Sequence, residues 1–192
     1  GTNFENALLK AVRSLEMGRD SLVTPALEAL GAGWLTLHPR TAKQGFTGTA
    51  RWEYLSELKA LVSLPVIASG DLFTAEDGVR CLAETGVDTV MYARGALRDP
   101  AIFKAHLDLL AGREPEVAGV ATLLARIREH ARLARELSTE KVALLKMRTI
   151  VPRYVRHIEG SKQLRADIIA CRSWDDFEKA LRSFEAGKSS SE

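Results

Sequence analysis

The chain has 192 residues, 46% of them hydrophobic and 27% charged, the make-up of a soluble globular protein with length for one large domain or two small ones. Its apolar runs are far too short to cross a membrane, and Gly1 to Leu15 is amphipathic and does not resemble a secretion signal, so a cytoplasmic protein is expected. The net charge of +2 is uneven: residues 120–185 hold 14 Lys/Arg against 9 Asp/Glu, whereas residues 1–119 hold 12 against 15.

In chain order, Phe4, Leu8, Val12 and Leu15 recur at helical spacing, and Asp20 or Ser21 caps a second helix that runs to Leu30 and stops at Gly31. A strand follows over 34–38 (WLTLH), then a helix over 51–62, a strand over 66–69 (VIAS) after Pro65, and a helix that Thr74 caps, with Glu76 and Asp77 in its first turn. Gly86 ends that helix, residues 88–93 (DTVMYA) form a third strand, and Arg94-Gly95 turn the chain towards one more helix over 100–111. Short apolar strands alternating with helices predict a parallel sheet with helical crossovers. Residues 112–119 are a linker. Four helical periods follow, with breaks near Thr139, Gly160 and Ser173; Ser173 and Asp176 resemble a capping box. Residues 186–192 read as a flexible tail.

Polar residues stand at the C-terminal end of every strand, the edge at which parallel α/β sheets bind ligands. His38, Arg40, Lys43 and Gln44 head the first loop; the histidine offers a donor to a flavin or base carbonyl, and the arginine a fork for a phosphate or base edge. The second and third strands end in Ser69-Gly70-Asp71 and Ala93-Arg94-Gly95. Matched glycine turns of this kind let backbone N–H groups approach an anion, and Arg94 adds a charge-assisted bond. In the basic part, Lys146, Arg148, Arg153 and Arg156 cluster within one expected helix, several of them on one face, with Tyr154 among them, and Arg165 follows; this mixture suits RNA backbone and unstacked bases as well as it suits a solvated face. The two cysteines, Cys81 and Cys171, lack CxxC spacing and read as small buried hydrophobes, and no His/Asp/Glu group has metal-ligand spacing.

Residues 31–103 carry H-P-R-T, Q-G-F-T-G and a following tryptophan, then P-V-I-A-S-G-D, then D-T-V-M-Y-A-R-G-A. This stretch closely resembles the C-terminal half of the catalytic barrel of tRNA-dihydrouridine synthases. KMRTIVPRYVRHIEGSKQLRADI, within 120–185, resembles the family's helical tRNA-binding domain. The resemblance implies an α/β fold: the last strands of a TIM-type (β/α)8 barrel over 1–111, then an all-α helical bundle. It implies FMN held by His38, Ser69, Gly70, Asp71, Ala93, Arg94 and Gly95, with NADPH as reductant and a uridine of tRNA reduced to 5,6-dihydrouridine. The tRNA would meet Arg40, Lys43, Gln44, Lys146, Arg148, Arg153, Arg156 and Arg165. Three departures stand out. The family's first barrel half is absent, and with it the catalytic cysteine, a position that neither Cys81 nor Cys171 matches. The segment EMGRD is too short for the strand that carries the family's flavin-contacting lysine. Ser69 and Ala93 replace an asparagine and a glycine. The resemblance therefore implies a chain with no catalytic residue of its own, incomplete or inactive alone, with the first barrel half as a partner. The competing expectations are a non-catalytic tRNA-binding remnant and another phosphate-binding barrel enzyme.

Overall fold

A computed structural model describes residues 31–189, which divide into two compact units. The two helices expected before Gly31 lie outside the described residues. The first unit, described over residues 31–96 and 101–114, is built on three parallel strands in the order β1 (Leu35–Leu37), β2 (Val66–Ala68), β3 (Thr89–Val90). Leu35 pairs with Val66, Thr36 with Ile67 and Leu37 with Ala68; Ile67 and Ala68 pair in turn with Thr89 and Val90.

Helices α1 (Glu53–Leu61) and α2 (Ala75–Thr85) form the crossovers. The strands are shorter than their apolar runs. Beyond β3, Met91 N–H still donates to the Ala68 carbonyl, and the chain then turns into α3 (Arg94–Arg98), so residues 91–93 are not strand. Arg94 and Gly95 are thus helical rather than an open turn. The helix expected over 100–111 is α4 (Ile102–Leu110). The expected caps at α2 form: Thr74 Oγ1 accepts from the Asp77 N–H, the Asp77 carboxylate accepts from the Thr74 N–H, and Gly86 closes the helix at φ +68.

One sheet face is packed. Leu35, Leu37, Val66 and Ala68 are buried in a core with Leu55 and Leu58 of α1, Cys81 of α2 and Ile102 of α4. On the other face the row Thr36–Ile67–Thr89 is open or half-open among the described residues. Asp88 secures the N-terminal end of the sheet, accepting from the Val66 N–H and from Lys59 of α1, each at 2.7 Å.

The second unit comprises Leu97–Pro100 and the chain from Pro115 on, with four helices: α5 (Val120–Glu136), α6 (Glu140–Tyr154), α7 (Lys162–Ala170) and α8 (Trp174–Ser189). Leu124, Ile127, Met147, Val151, Tyr154, Leu164, Ile168 and Leu181 fill its core. Asp176 accepts from the Ser173 N–H while Ser173 Oγ accepts from the Asp176 N–H, the capping box expected at α8. Two expectations are corrected. Helix α6 carries Pro152 in its last turn and ends at Tyr154, leaving Arg156 beyond it. Residues 186–189 continue α8 and are not tail. Among the described residues no helix is long and apolar enough to cross a membrane.

Candidate functional site

The C-terminal ends of the three strands gather the charged residues of the first unit. Leaving β1, the chain forms a loop whose ends are tied by the Arg51 N–H to the Pro39 carbonyl. Gly45 and Gly48 take φ of +55 and +61, a backbone state that glycine adopts without strain. Gln44 holds the loop from inside: its Nε2 donates to the carbonyls of Thr47 and Thr49. Its side-chain donors therefore serve the loop. Lys43 is exposed and enters no ion pair among the described residues.

Arg40 does not reach outward. Its side chain is 2% exposed and pairs with Asp71 at 2.6 Å. Nη2 donates to both Asp71 oxygens and to the Gly48 carbonyl, and Nε points to the Thr47 carbonyl at 3.4 Å. Nη1 is buried with no hydrogen-bond partner. A buried guanidinium donor without an acceptor is costly unless a bound group accepts from it.

Asp71 lies at φ +54 immediately after Gly70 at +114. Burial alone would raise its pKa, but the bonds from Arg40 and the Ala50 N–H, with the charges of Arg40 and Arg94, bring it below the usual 3.8. Arg94 is 41% exposed and sits 3.2 Å from Asp71. Its guanidinium lies over the rings of Phe46 (4.9 Å) and Phe73 (4.8 Å), which fixes a cation at the edge of the sheet.

The His38 ring approaches Ser69 Oγ at 3.4 Å. Burial, then the Arg40 charge, then Arg94 push its pKa below 6.5 against the pull of Asp71, so the ring is neutral at pH 7. Ser69 is buried, and its N–H donates to the Leu37 carbonyl. Gly70 is packed: its carbonyl accepts from Trp52 Nε1, and a Cβ there would lie 3.0 Å from Ala50 Cβ. Ala93 is exposed. A Cβ on Gly95 would lie 2.5 Å from the Leu72 carbonyl oxygen and 2.9 Å from Ile102 Cδ1, so this glycine serves close packing of α3 on the chain after β2. Three N–H groups at the start of α2 are already bonded within its own cap, at Phe73, Thr74 and Asp77. The start of α2 is thus occupied by its own cap, and the positive charge at this edge is carried by Arg94 and Arg40. Phe46 and Phe73 were missed as site residues. An aromatic two residues after Gln44 and another two after Asp71 were the available signal.

In the second unit the basic residues separate by environment. Tyr154 is buried, its hydroxyl 2.7 Å from His130 Nδ1, so it is no stacking platform for a base. Arg148 is turned to α7, donating to the Ile169 carbonyl, and Arg165 donates to Ser161 Oγ. Lys146 and Arg153, seven residues apart, share one exposed face of α6, with exposed Arg156 beyond its end; none of the three enters an ion pair among the described residues. The arginines of α5 differ. Arg128 pairs with Glu178 and Glu185, Arg132 with Glu129 and Glu136, and Arg135 with Glu140. Cys81 and Cys171 are buried, and burial raises both thiols above the usual range. Among the described residues no group of three or more His, Cys, Asp or Glu is placed to hold a metal.

Residues 22–189 match the family model described as dihydrouridine synthase. The chain is 34% identical over 148 residues to the probable tRNA-dihydrouridine synthase 1 of Synechocystis sp., a match covering 77% of the chain and 41% of the relative. It is 30% identical over 159 residues to the probable tRNA-dihydrouridine synthase of Aquifex aeolicus, covering 83% and 49%. Over 107 residues it is 38% identical to a tRNA-dihydrouridine(16/17) synthase NAD(P)(+)-like protein of Rattus norvegicus, covering 54% and 23%. The chain thus spans less than half the length of these curated relatives.

Proposed function

Because the chain belongs to the dihydrouridine synthase family, we propose that it is the flavin-phosphate and tRNA-binding portion of a tRNA-dihydrouridine synthase, in which uridine in tRNA is reduced to 5,6-dihydrouridine with FMN as cofactor and NADPH as reductant. The observation that carries this reading is the strand-end cluster: a fixed, exposed Arg94 beside a buried Arg40 whose Nη1 has no partner. FMN fits that donor set, since its phosphate needs a placed cation and its ring carbonyls need donors. FMN would supply the hydride chemistry. Arg94 would bind the phosphate, with Ser69, Gly70, Ala93 and Gly95 shaping the strand ends around it. His38, as a neutral ring, and the free Arg40 donor would face the flavin or the uracil edge, and Lys43 the tRNA. The uridine would leave its stack to reach the edge, as bases do in other enzymes that act on them.

In this reading residues 1–111 are part of a (β/α)8 barrel, 112–119 a linker and 120–185 a helical tRNA-binding domain, working in the cytoplasm. The bare row Thr36–Ile67–Thr89 supports the partial barrel, because parallel sheets are ordinarily covered on both faces. So do Phe103, Leu107 and Leu110, an exposed apolar stripe of α4 at helical spacing that suits further β/α units as partner. On the tRNA side Lys146, Arg153 and Arg156 are free to meet phosphates; Arg148 and Arg165 would act by holding that surface together.

An FMN titration of the purified chain, followed by flavin fluorescence, tests the proposal. Saturable micromolar binding that is lost in Arg94→Ala and weakened in His38→Ala is the expected result. Absence of FMN binding with tRNA still retained on a filter would favour the second reading, a non-catalytic tRNA-binding protein. That reading is supported by the burial of both cysteines, which also pushes both thiols above their usual range.

A further inference from the structure

Asp71 occupies a backbone state that favours glycine, at φ +54 directly after Gly70. Its side chain accounts for the choice of an acid there. Oδ1 accepts from Arg40 Nη2 at 2.7 Å and from Arg94 Nη2 at 3.2 Å. Oδ2 accepts from Arg40 Nη2 at 2.6 Å and from the Ala50 N–H at 2.7 Å. One carboxylate at the end of β2 thereby holds both ends of the loop after β1 and the cation after β3.

We infer that Asp71 is the positioning residue of the strand-end site, fixing Arg40, Arg94 and the 38–51 loop in the arrangement that receives a phosphate-bearing ligand, and is not itself a ligand group. The inference rests on the reading of this edge as an anion site. Two arguments carry it. The carboxylate already accepts from Arg40 Nη2, which spans both of its oxygens, from Arg94 Nη2 and from the Ala50 N–H, so most of its acceptor capacity serves the protein's own groups. Its negative charge would repel a phosphate placed against it, whereas between two guanidiniums it removes their mutual repulsion and leaves the cluster at net +1. Without it, Arg94 keeps among the described residues the Phe46 and Phe73 rings, and Phe46 is itself 74% exposed on the loop that Asp71 secures. The low pKa of the Asp71 carboxyl agrees with this role, since the group is ionised wherever the site works.

The test compares the wild-type chain with Asp71→Asn and Asp71→Gly. Asparagine and glycine both accept a positive φ, so the two variants remove the charge without adding backbone strain, and a folding defect peculiar to one leaves the other to be read. Two readouts are needed: hydrogen exchange at the Ala50 amide, and the Kd for FMN set beside that for riboflavin, which lacks the phosphate. Expected are faster Ala50 exchange and an FMN Kd weakened about tenfold, the loss of one charge-assisted contact, with riboflavin changed much less. Unchanged Ala50 exchange with FMN affinity within twofold of wild type would overturn the inference. Tighter FMN binding in Asp71→Asn would overturn it too, since the carboxylate would then be opposing the phosphate directly. Should the wild-type chain bind no FMN, the flavin reading fails separately; Ala50 exchange then decides alone, its loss of protection supporting the clamp and unchanged protection refuting it.

Discussion

Gly78→Ala reverses the usual effect of replacing a glycine inside a helix. Alanine ordinarily gains about 1 kcal/mol over glycine at a helix interior. Gly78 lies in the middle of α2, where a Cβ would stand 1.9 Å from Tyr92 Oη, 2.7 Å from His106 Nδ1 and 2.9 Å from Tyr92 Cζ. Tyr92 and His106 are both buried and share a 2.8 Å hydrogen bond, so neither can swing into solvent. Overpacking of this kind costs about 1–3 kcal/mol, and breaking the bond leaves buried polar atoms unpaired at about 1–3 kcal/mol more. Against the helical gain, the net expectation is a loss of about 1–5 kcal/mol, enough to lower the Tm of a unit this size by on the order of 10 °C. Urea denaturation read by tryptophan fluorescence places the signal in the first unit, through Trp34 and Trp52, when wild type and variants all carry Trp174→Phe, so that the lost ring contacts of Trp174 with Phe177 and Arg135 are common to every chain compared. Adding Tyr92→Phe to Gly78→Ala removes the nearest clashing atom and should restore part of the loss. A Gly78→Ala chain as stable as wild type, or a double variant no better than the single one, would refute the packing argument. Tyr92 precedes Arg94 by two residues, so the same strain should also loosen the proposed phosphate cation.

Four further outcomes follow from charge and hydrogen bonding. The His38 ring should titrate below 6.5 in an NMR pH series, and lower still in Asp71→Asn, which deletes the one nearby charge that raises it; a value at or above 6.5 would contradict the arrangement of Arg40 and Arg94 around it. Burial lowers the pKa of His130 below its unfolded 6.5, so the unfolded chain takes up the proton first: the contribution of His130 to stability is complete above about pH 6.5 and declines as the pH falls towards the folded value. Tyr154→Phe, which removes the hydroxyl that His130 Nδ1 bonds, should cost the helical unit about 1 kcal/mol at pH 7.5, measured by urea midpoint; no loss would mean that the 2.7 Å contact contributes nothing. For tRNA retained on filters, Lys146→Ala or Arg153→Ala should each reduce the salt slope by about one, whereas Arg132→Ala, already paired to Glu129 and Glu136, should leave it unchanged; equal effects would place the RNA on α5 instead.

Much of this was legible wherever the signal is local. The Thr74–Asp77 and Ser173–Asp176 caps, the αL stop at Gly86 and three apolar strands follow from short-range chemistry that a sequence displays openly. Three features were not legible, each for a long-range reason. Nearness in sequence suggested that Arg148 and Tyr154 belong with Lys146 and Arg153. A helix turns 100° per residue, however, and this places Lys146 and Arg153 together while sending Arg148 towards α7 and Tyr154 into the core. Arg40 looked like an outward ligand group, but its acceptor, Asp71, stands 31 residues away at the end of another strand. Gly95 resembled Gly70 in context, yet the missing side chain of one is filled by the Leu72 carbonyl and that of the other by Ala50 and His38.

The last difference bears on where the affinity for an anion originates. Two glycine turns after adjacent strands suggest bare N–H groups backed by helix dipoles. Here the Ser69 N–H is bonded into the sheet and the start of α2 is capped by its own Asp77. The formal charge left to attract a phosphate there is a guanidinium over two phenyl rings, steadied by a carboxylate. A site of that construction depends on side-chain charge, and partly exposed charges are screened by salt. Arg94→Ala is therefore the decisive variant for ligand binding, because it removes the attraction itself. A glycine substitution at 70 or 95 would disturb packing first, and a loss of binding there would not tell a ligand contact from a displaced strand end.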